Sequence, residues 1–159
     1  MEIAQLAPGD WELFRTLRIA ALSDAPAAFG STLAETLALG EAAWRATLAA
    51  RAQFVARDGD GAAVGTAGAY RDGDAIKLVS MWVAPAARGR GIGAALVHRV
   101  LGHAHEVGCR EVRLWVTGGN AVAERLYVRC GFVRTGTLQP IRPGEPALEV
   151  EMRAPSAAV

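Results

Sequence analysis

The stretch from Ala75 to Val83 constrains the fold more than any other part of the chain. Lys77 and Ser80 are its only polar residues, so a strand formed here has two apolar faces. Such a strand lies at the centre of a sheet that helices cover on both sides. The stretch therefore predicts an α/β fold built around a buried strand.

The rest of the chain alternates strand-like and helical patterns, separated by Gly, Pro and Asp. A length of 159 residues corresponds to one domain. We expect strands at about 2–6, 53–57, 63–70, 75–83, 111–117, 132–137 and 147–153. We expect helices at about 11–23, 32–51, 92–107 and 121–130. Residues 1–153 form the predicted domain, and residues 154–159 are predicted to be a flexible tail.

The charged and sulfur-containing residues exclude several classes of function. Seventeen basic residues against sixteen acidic ones leave a net charge of +1, which argues against a nucleic-acid-binding surface. Lys77 is the only lysine and is followed by Leu, which excludes a Walker-type phosphate loop. Cys109 and Cys130 are far apart and belong to no Cys/His cluster, so we expect neither a disulfide framework nor a metal site.

The hydrophobic pattern and the first residues of the chain indicate where in the cell the protein is expected. No apolar run approaches the roughly 20 residues of a membrane span. Residues 1–6 lack the basic and long apolar regions of a signal peptide. The sequence therefore predicts a cytoplasmic protein without a membrane partner.

A glycine-rich loop between the apolar strand and a helix is the most informative segment for function. It reads Arg88-Gly89-Arg90-Gly91-Ile92-Gly93-Ala94. Glycines let the backbone approach a ligand closely, and the first N–H groups of a helix have no intrahelical partner. Together with the positive end of the helix dipole and two arginines, these donors predict a site for an anion such as a pyrophosphate.

The same loop superficially matches a dinucleotide fingerprint, as Gly89-x-Gly91-x-x-Ala94. A Rossmann domain places that fingerprint after its first strand, with several βα units still to follow. Here only about 65 residues remain, and the acid expected further on, Glu111, lies at the beginning of a strand rather than at its end. Both observations disfavour a dinucleotide.

A second pattern opens the last predicted helix. Asn120, Ala123 and Tyr127 are three and four residues apart, so they share one helix face. A capping amide, a small residue and a phenol on one face can hold an extended polar chain and offer it a proton. Taken alone, the same pattern also fits an ordinary helix cap followed by a core tyrosine.

Together the two segments resemble the GNAT superfamily of N-acetyltransferases. Arg88-x-x-Gly91-x-Gly93 matches its acyl-CoA signature, and Asn120-x-x-Ala123-x-x-x-Tyr127 matches its second motif. The resemblance implies a mixed sheet of six to seven strands flanked by about four helices. It also implies that the central strand and the next parallel strand splay apart, with acetyl-CoA in the cleft between them.

The resemblance further implies roles for individual residues. The cofactor-binding residues would be Met81, Trp82, Val83, Arg88, Gly89, Arg90, Gly91, Ile92, Gly93, Ala94 and Asn120. The loop would bind the pyrophosphate through its backbone N–H groups, and the strand end would pair with the pantetheine. An amine would attack the thioester directly, with the Val83 N–H polarising the carbonyl oxygen. Tyr127 would protonate the leaving thiolate as the catalytic acid.

The sequence departs from the family at the general base. Some members carry a glutamate at the position of Lys77 and others at that of Trp115, and neither carboxylate is present here. Deprotonation of the amine then runs through ordered water, with Ser80 as a relay, or through a carboxylate of the first helices. Glu35 is the candidate for that carboxylate, although its position also fits a solvated helix acid.

The acceptor in this interpretation is a primary amine of a small molecule or peptide. Loops at about 25–35 and 139–146 would recognise it, with candidate contacts at Phe29, Glu35, Ser80 and Trp115. Trp115 alternatively only covers the sheet. The alternative functions are a non-catalytic acyl-CoA-binding regulatory module and a transferase of longer acyl groups. Exposed closing strands and analogy with relatives favour a homodimer.

Overall fold

Seven strands and five α-helices make up the structure, a computed structural model that describes residues 1–159. The strands are β1 (Glu2–Gln5), β2 (Ala52–Arg57), β3 (Ala63–Asp72), β4 (Ala75–Val83), β5 (Glu111–Thr117), β6 (Val133–Pro140) and β7 (Leu148–Pro155). The helices are α1 (Trp11–Asp24), α2 (Leu33–Leu37), α3 (Glu41–Ala50), α4 (Ile92–Glu106) and α5 (Ala121–Arg129). The strands form one sheet in the order β1-β2-β3-β4-β5-β7-β6.

The centre of this sheet contains its one parallel pair, β4 and β5. All the other neighbouring strands are antiparallel, so the predicted mixed sheet is confirmed. The parallel pairing joins only Ala75–Lys77 to Glu111–Arg113. Beyond these residues β4 has no partner on its β5 side, and the two strands diverge towards their C-terminal ends. The splay that the sequence comparison implied is therefore present.

Two apolar cores lie on opposite faces of the sheet. On one face, α4 packs over Phe54, Ile76 and Leu78. On the other face, α1 and α3 pack over Val55 and Trp82. The apolar stretch predicted to be a central strand is thus β4, the fourth of the seven strands, with helices on both sides.

The predicted helix at 32–51 is wrong in one respect, because the structure divides it into α2 and α3. Gly40 has an extended backbone (ψ 171°) and is the N-cap of α3. Glycine loses more freedom than other residues on entering a helix, so it favours a break at this point. Four predicted helices become five.

The C-terminal strand runs past its predicted end. Ala154 and Pro155 belong to β7, and the backbone N–H of Ser156 donates to the carbonyl of Arg110 at 2.9 Å. The predicted boundary after residue 153 therefore falls inside a strand. None of the helices has both the length and the hydropathy needed to cross a membrane.

Candidate active site

A cleft of about 690 Å³ opens at the C-terminal end of β4, where β5 has diverged. Its walls are the end of β4, the glycine-rich loop with the first turn of α4, and one face of α5. Both sequence motifs therefore contribute to a single cavity. The predicted residues that line it are Met81, Trp82, Val83, Arg88, Gly89, Gly91, Ile92, Gly93, Ala94, Asn120 and Tyr127.

The glycine-rich loop presents a row of free backbone donors. No N–H group from Gly89 to Ala94 has a backbone partner, and the first that does is Ala95, which donates to the carbonyl of Gly91 at 3.0 Å. Gly89 and Gly91 have φ values of 75° and 78°, which side chains disfavour, and an added Cβ at either would meet open space. The loop thus has the donors and the shape that an anionic group such as a pyrophosphate needs.

Gly93 has a different function, which is to let α4 and α5 approach each other. A Cβ at this position would lie 3.1 Å from Cδ2 of Leu126 on α5. That distance is shorter than ordinary van der Waals contact, so a side chain at this position would have to displace the Leu126 side chain by a few tenths of an ångström. The second glycine of the signature therefore lets Leu126 of α5 pack closely against the start of α4.

The backbone of Val83 also points into the cleft. The N–H of Ala84 donates to the carbonyl of Val64 at 2.8 Å, which identifies these two residues as a hydrogen-bonded pair of β3 and β4. Hydrogen-bonded and non-hydrogen-bonded pairs alternate along an antiparallel ladder, so Val83, opposite Gly65, turns its N–H away from β3. It faces the side from which β5 has diverged. The predicted donor to the carbonyl oxygen is thus free.

The second motif has the geometry expected of a shared helix face. The Asn120 side-chain oxygen accepts from the N–H of Ala123 at 3.2 Å and caps α5. The side-chain nitrogen of Asn120 takes no part in this cap. Tyr127 is 6% exposed, and its ring packs against Phe132 with the ring centroids 5.7 Å apart. Tyr127 lines the cleft, and burial raises the pKa of its phenol well above the ordinary value, so the hydroxyl stays protonated.

Asp24, which the sequence analysis did not single out, holds one corner of the cleft. Its carboxylate accepts a hydrogen bond from Trp82 Nε1 at 3.0 Å and forms an ion pair with Arg88. These contacts, first that of Trp82 and then that of Arg88, lower the pKa of Asp24. Arg88 also donates from Nε to the carbonyl of Val83 at 3.0 Å. Asp24 therefore partly compensates the positive charge of Arg88. The hydrogen bond from Arg88 to Val83 holds the end of β4 in place.

The remaining predicted residues are not all brought to the cleft. Phe29 lines it and is buried, whereas Arg90 is exposed and lies outside the lining. Glu35 forms a capping box at the start of α2, where its carboxylate accepts from the N–H of Thr32 at 2.9 Å. Trp115 lies beside Lys77, whose Nζ is 5.7 Å from the ring centroid. Neither Glu35 nor Trp115 lines the cleft.

Ser80 occupies a strained position one residue before the cleft. Its φ is 53°, which is unusual for a residue other than glycine, and a bulge interrupts the pairing of β3 and β4 here. The hydroxyl accepts a hydrogen bond from Arg51 Nη2 at 3.2 Å. A residue forced into this conformation redirects the strand, so the bulge aims Met81 and Val83 into the cleft.

The two loops expected to recognise the acceptor contact each other through Arg142. Its guanidinium donates to the carbonyls of Pro26 at 3.3 Å, Phe29 at 3.1 Å and Gly30 at 3.1 Å. Arg142 also pairs with Glu145 in its own loop. No local signal in the sequence marks Arg142 as the residue that ties these segments together.

Comparison with known proteins agrees with this geometry. The Acetyltransferase (GNAT) family model matches residues 17–132. Mycothiol acetyltransferase from Stackebrandtia nassauensis is 32% identical over 111 residues, which are 65% of this chain and 36% of that protein. An uncharacterized N-acetyltransferase from Mycobacterium tuberculosis is 39% identical over 88 residues, which are 55% of this chain and 56% of that protein. The chain thus covers between about a third and somewhat over half of these relatives.

A solved structure supports the fold over its full length. The structure of yncA from Salmonella typhimurium with its cofactor acetyl-CoA superposes with a TM-score of 0.78 at 21% identity, covering 100% of this chain and 95% of that one. The family match spans both motifs and most of the residues that line the cleft. The chain belongs to the Acetyltransferase (GNAT) family.

Proposed function

We propose that this protein is an acetyl-CoA-dependent N-acetyltransferase that acetylates a primary amine of a small molecule or peptide. One observation carries the proposal: five residues with unpaired backbone N–H groups, a free strand N–H and a protonated tyrosine line one cleft. This combination provides an anion site, a donor for a polarised carbonyl and a proton source. The family membership and the relatives named as N-acetyltransferases support the same reaction class.

The residues of the cleft fit acetyl-CoA in both charge and shape. The N–H groups from Gly89 to Ala94 would bind the pyrophosphate, and the positive end of α4 strengthens this binding. The end of β4 from Met81 to Val83, left without a partner strand, would pair with the amides of the pantetheine. The amide of Asn120 would contact the pantetheine from α5. When bound, acetyl-CoA supplies an acetyl group activated as a thioester.

The chain's own groups would then assist direct transfer to the amine. The Val83 N–H would stabilise the negative charge that develops on the carbonyl oxygen. The Tyr127 hydroxyl would donate its proton to the departing sulfur. Neither Glu35 nor Ser80 lines the cleft, but Ser80 directly precedes Met81 in its wall, so we favour ordered water for the removal of the amine proton, with Ser80 at the bulge as the relay.

A thiol-release assay with acetyl-CoA and a panel of primary amines tests this proposal. Turnover with at least one amine is the expected result. Binding of acetyl-CoA without turnover on any amine would instead favour the non-catalytic acyl-CoA-binding module. Faster turnover with a longer acyl donor would favour the transferase of longer acyl groups.

The pH dependence of the reaction follows from the environment of Tyr127. Because burial raises its pKa above the ordinary value of about 10, the hydroxyl stays protonated at alkaline pH. The free amine is the reactive form of the acceptor, so kcat/KM should increase with pH and then level off. We expect no decline up to about pH 10. A decline centred below about pH 9 would show that another group supplies the proton.

Removing the Arg142 tether should weaken acceptor binding selectively. Arg142→Ala leaves three carbonyls of the loop at about 25–35 without their donor, so this loop gains freedom that the acceptor must remove on binding. We expect the KM for the acceptor to rise several-fold, while acetyl-CoA affinity stays unchanged.

Glu145→Gln provides the matched control for this tether. It removes the ion pair with Arg142 but leaves the three hydrogen bonds to the carbonyls intact. Kinetic titration of both substrates should show wild-type values for this variant. Equal acceptor KM in Arg142→Ala and wild type would contradict the role of the tether.

Two further expectations from the sequence remain predictions. Homodimer formation would use the exposed edge strand β6, where Val133 and Leu138 are each more than half exposed. A cytoplasmic location would give the enzyme its acyl donor.

A further inference from the structure

Two partly buried arginines lie close together without an acidic partner. Arg18 on α1 and Arg51 at the end of α3 take part in none of the ion pairs of the protein. Arg18 Nη1 and Arg51 Nε are enclosed and have no hydrogen-bond partner. Buried charge of this kind is costly unless an opposite charge compensates it.

The groups that do contact the two guanidiniums hold them in place but do not neutralise them. Arg18 lies over the ring of Phe29 at 4.6 Å, and Arg51 lies over that of Phe14 at 5.5 Å. Arg51 Nη2 donates to Gln53 Oε1 at 2.8 Å. An aromatic face attracts a cation, and an amide oxygen accepts a hydrogen bond, but neither supplies a negative charge.

The neighbouring charges confirm that the pair lacks a counter-charge. Burial first, and then the positive charge of Arg51, lower the pKa of Arg18 to about 10. Burial also lowers the pKa of Arg51, and the one ionisable group that opposes this is Tyr70 and not a carboxylate. Both arginines remain charged at neutral pH and repel each other.

The position of the pair connects it with the acceptor side of the cleft. Phe29, under Arg18, lines the cleft and belongs to the loop that Arg142 ties down. Ser80, which accepts from Arg51, directly precedes Met81 in the cleft wall. Neither arginine lines the cleft itself, and both lie behind this part of its wall.

We propose that Arg18 and Arg51 form an anion subsite for the carboxylate of the acceptor, so that the acceptor is an amino acid rather than a simple amine. Two guanidiniums offer several N–H donors to one carboxylate, and such charge-assisted hydrogen bonds are among the strongest in proteins. This inference rests on the proposed N-acetyltransferase function and specifies its substrate class.

Matched acceptor sets test the subsite. One set is phenylalanine, phenylalaninamide and phenethylamine, and a second is leucine, leucinamide and isopentylamine. In at least one set, we expect kcat/KM for the amino acid to exceed that of its amide and of its decarboxylated amine by about 10-fold or more. Equal or faster acetylation of the uncharged partners in both sets would overturn the proposal.

Substitution of Arg18 separates substrate binding from a structural role. Arg18→Met should abolish the preference for the carboxylate, lowering kcat/KM for the amino acid about 10- to 100-fold while leaving phenethylamine and isopentylamine unaffected. Its melting temperature should not fall, because the substitution removes a buried, repelled charge. A lower melting temperature with equal losses on all acceptors would assign Arg18 a structural role and overturn the subsite. Arg15→Met removes the same charge from the same helix and should retain the preference.

A binding measurement distinguishes failure of the subsite from failure of the proposed function. The melting temperature is measured with N-acetylphenylalanine and with its amide, and likewise with the leucine pair, each with and without CoA. A larger increase with the carboxylate in wild type, lost in Arg18→Met, supports the subsite. No preference for either carboxylate overturns the subsite even if acetyl-CoA binds. A protein that acetyl-CoA does not stabilise contradicts the proposed function instead.

Discussion

Acetyl-CoA is expected to raise the melting temperature of the wild-type protein and to have no effect on Gly91→Val. A ligand that binds only the folded state stabilises it by RT ln(1 + [L]/Kd), about 2.7 kcal/mol at 100 Kd, which corresponds to several degrees for a domain of this size. Gly91 has a φ of 78°, which a β-branched residue disfavours. Valine would displace the loop whose N–H groups form the proposed anion site, and its side chain would occupy the space in front of them.

Gly61→Val is the control variant for the effect of backbone strain alone. Gly61 has a φ of 81° in the turn between β2 and β3, and an added Cβ there also meets open space. Both variants should therefore lose a similar amount of stability, on the order of 1–3 kcal/mol. In thermal denaturation with millimolar acetyl-CoA, Gly61→Val should show the wild-type increase. A normal increase in Gly91→Val would show that the phosphate site lies elsewhere.

The parts of the fold that can be predicted from the sequence are those marked by a residue pattern within one strand, helix or loop. The apolar stretch 75–83 predicts β4 with its observed bounds, because a strand buried on both faces has few polar residues. Asn120 and Gly131 bound the last helix through ordinary capping preferences, and α5 lies between them. The loop at 89–94 with its free N–H groups is predicted from the sequence in the same way, since glycines before a helix leave its first N–H groups unpaired.

The parts that do not follow depend on contacts between residues distant in sequence. Asp24 is 64 residues from Arg88, and Arg142 is 112 residues from Gly30, so neither contact leaves a local pattern. The arginine pair is similarly hidden, because Arg18 and Arg51 are adjacent only once α1 and α3 pack on the same face of the sheet. Burial of Arg18 and Arg51 without acids can be recognised only in the folded structure.

Glu35 illustrates how a local pattern can mislead about function. Thr32 and Glu35 form a capping box, a spacing that the sequence shows directly. An acid just after a loop near a substrate site is an obvious candidate for a base, yet here the Glu35 carboxylate accepts from the N–H of Thr32, the residue that caps the short helix α2. The carboxylate that meets the cleft is Asp24, and its lowered pKa makes it a poor base.

Replacing Tyr127 by phenylalanine is expected to lower kcat on the order of 100-fold with little change in stability or acetyl-CoA affinity. The ring keeps its packing against Phe132, and no protein group loses a hydrogen bond to the hydroxyl. Steady-state kinetics and thermal denaturation of the same preparations measure these effects. The loss should shrink with an acetyl donor whose thiol is more acidic, because such a thiolate departs without a proton.

Phe132→Leu tests the competing explanation, in which Tyr127 serves only the core. Phe132 is buried beside Tyr127, so its truncation disturbs the same packing while leaving the phenol in place. This variant should melt at a lower temperature and keep the turnover of each folded molecule, the reverse of the result expected for Tyr127→Phe. The two variants therefore separate proton donation from packing. If Tyr127→Phe turns over at the wild-type rate on every accepted amine, Tyr127 is not the acid, and water in the cleft must protonate the thiolate.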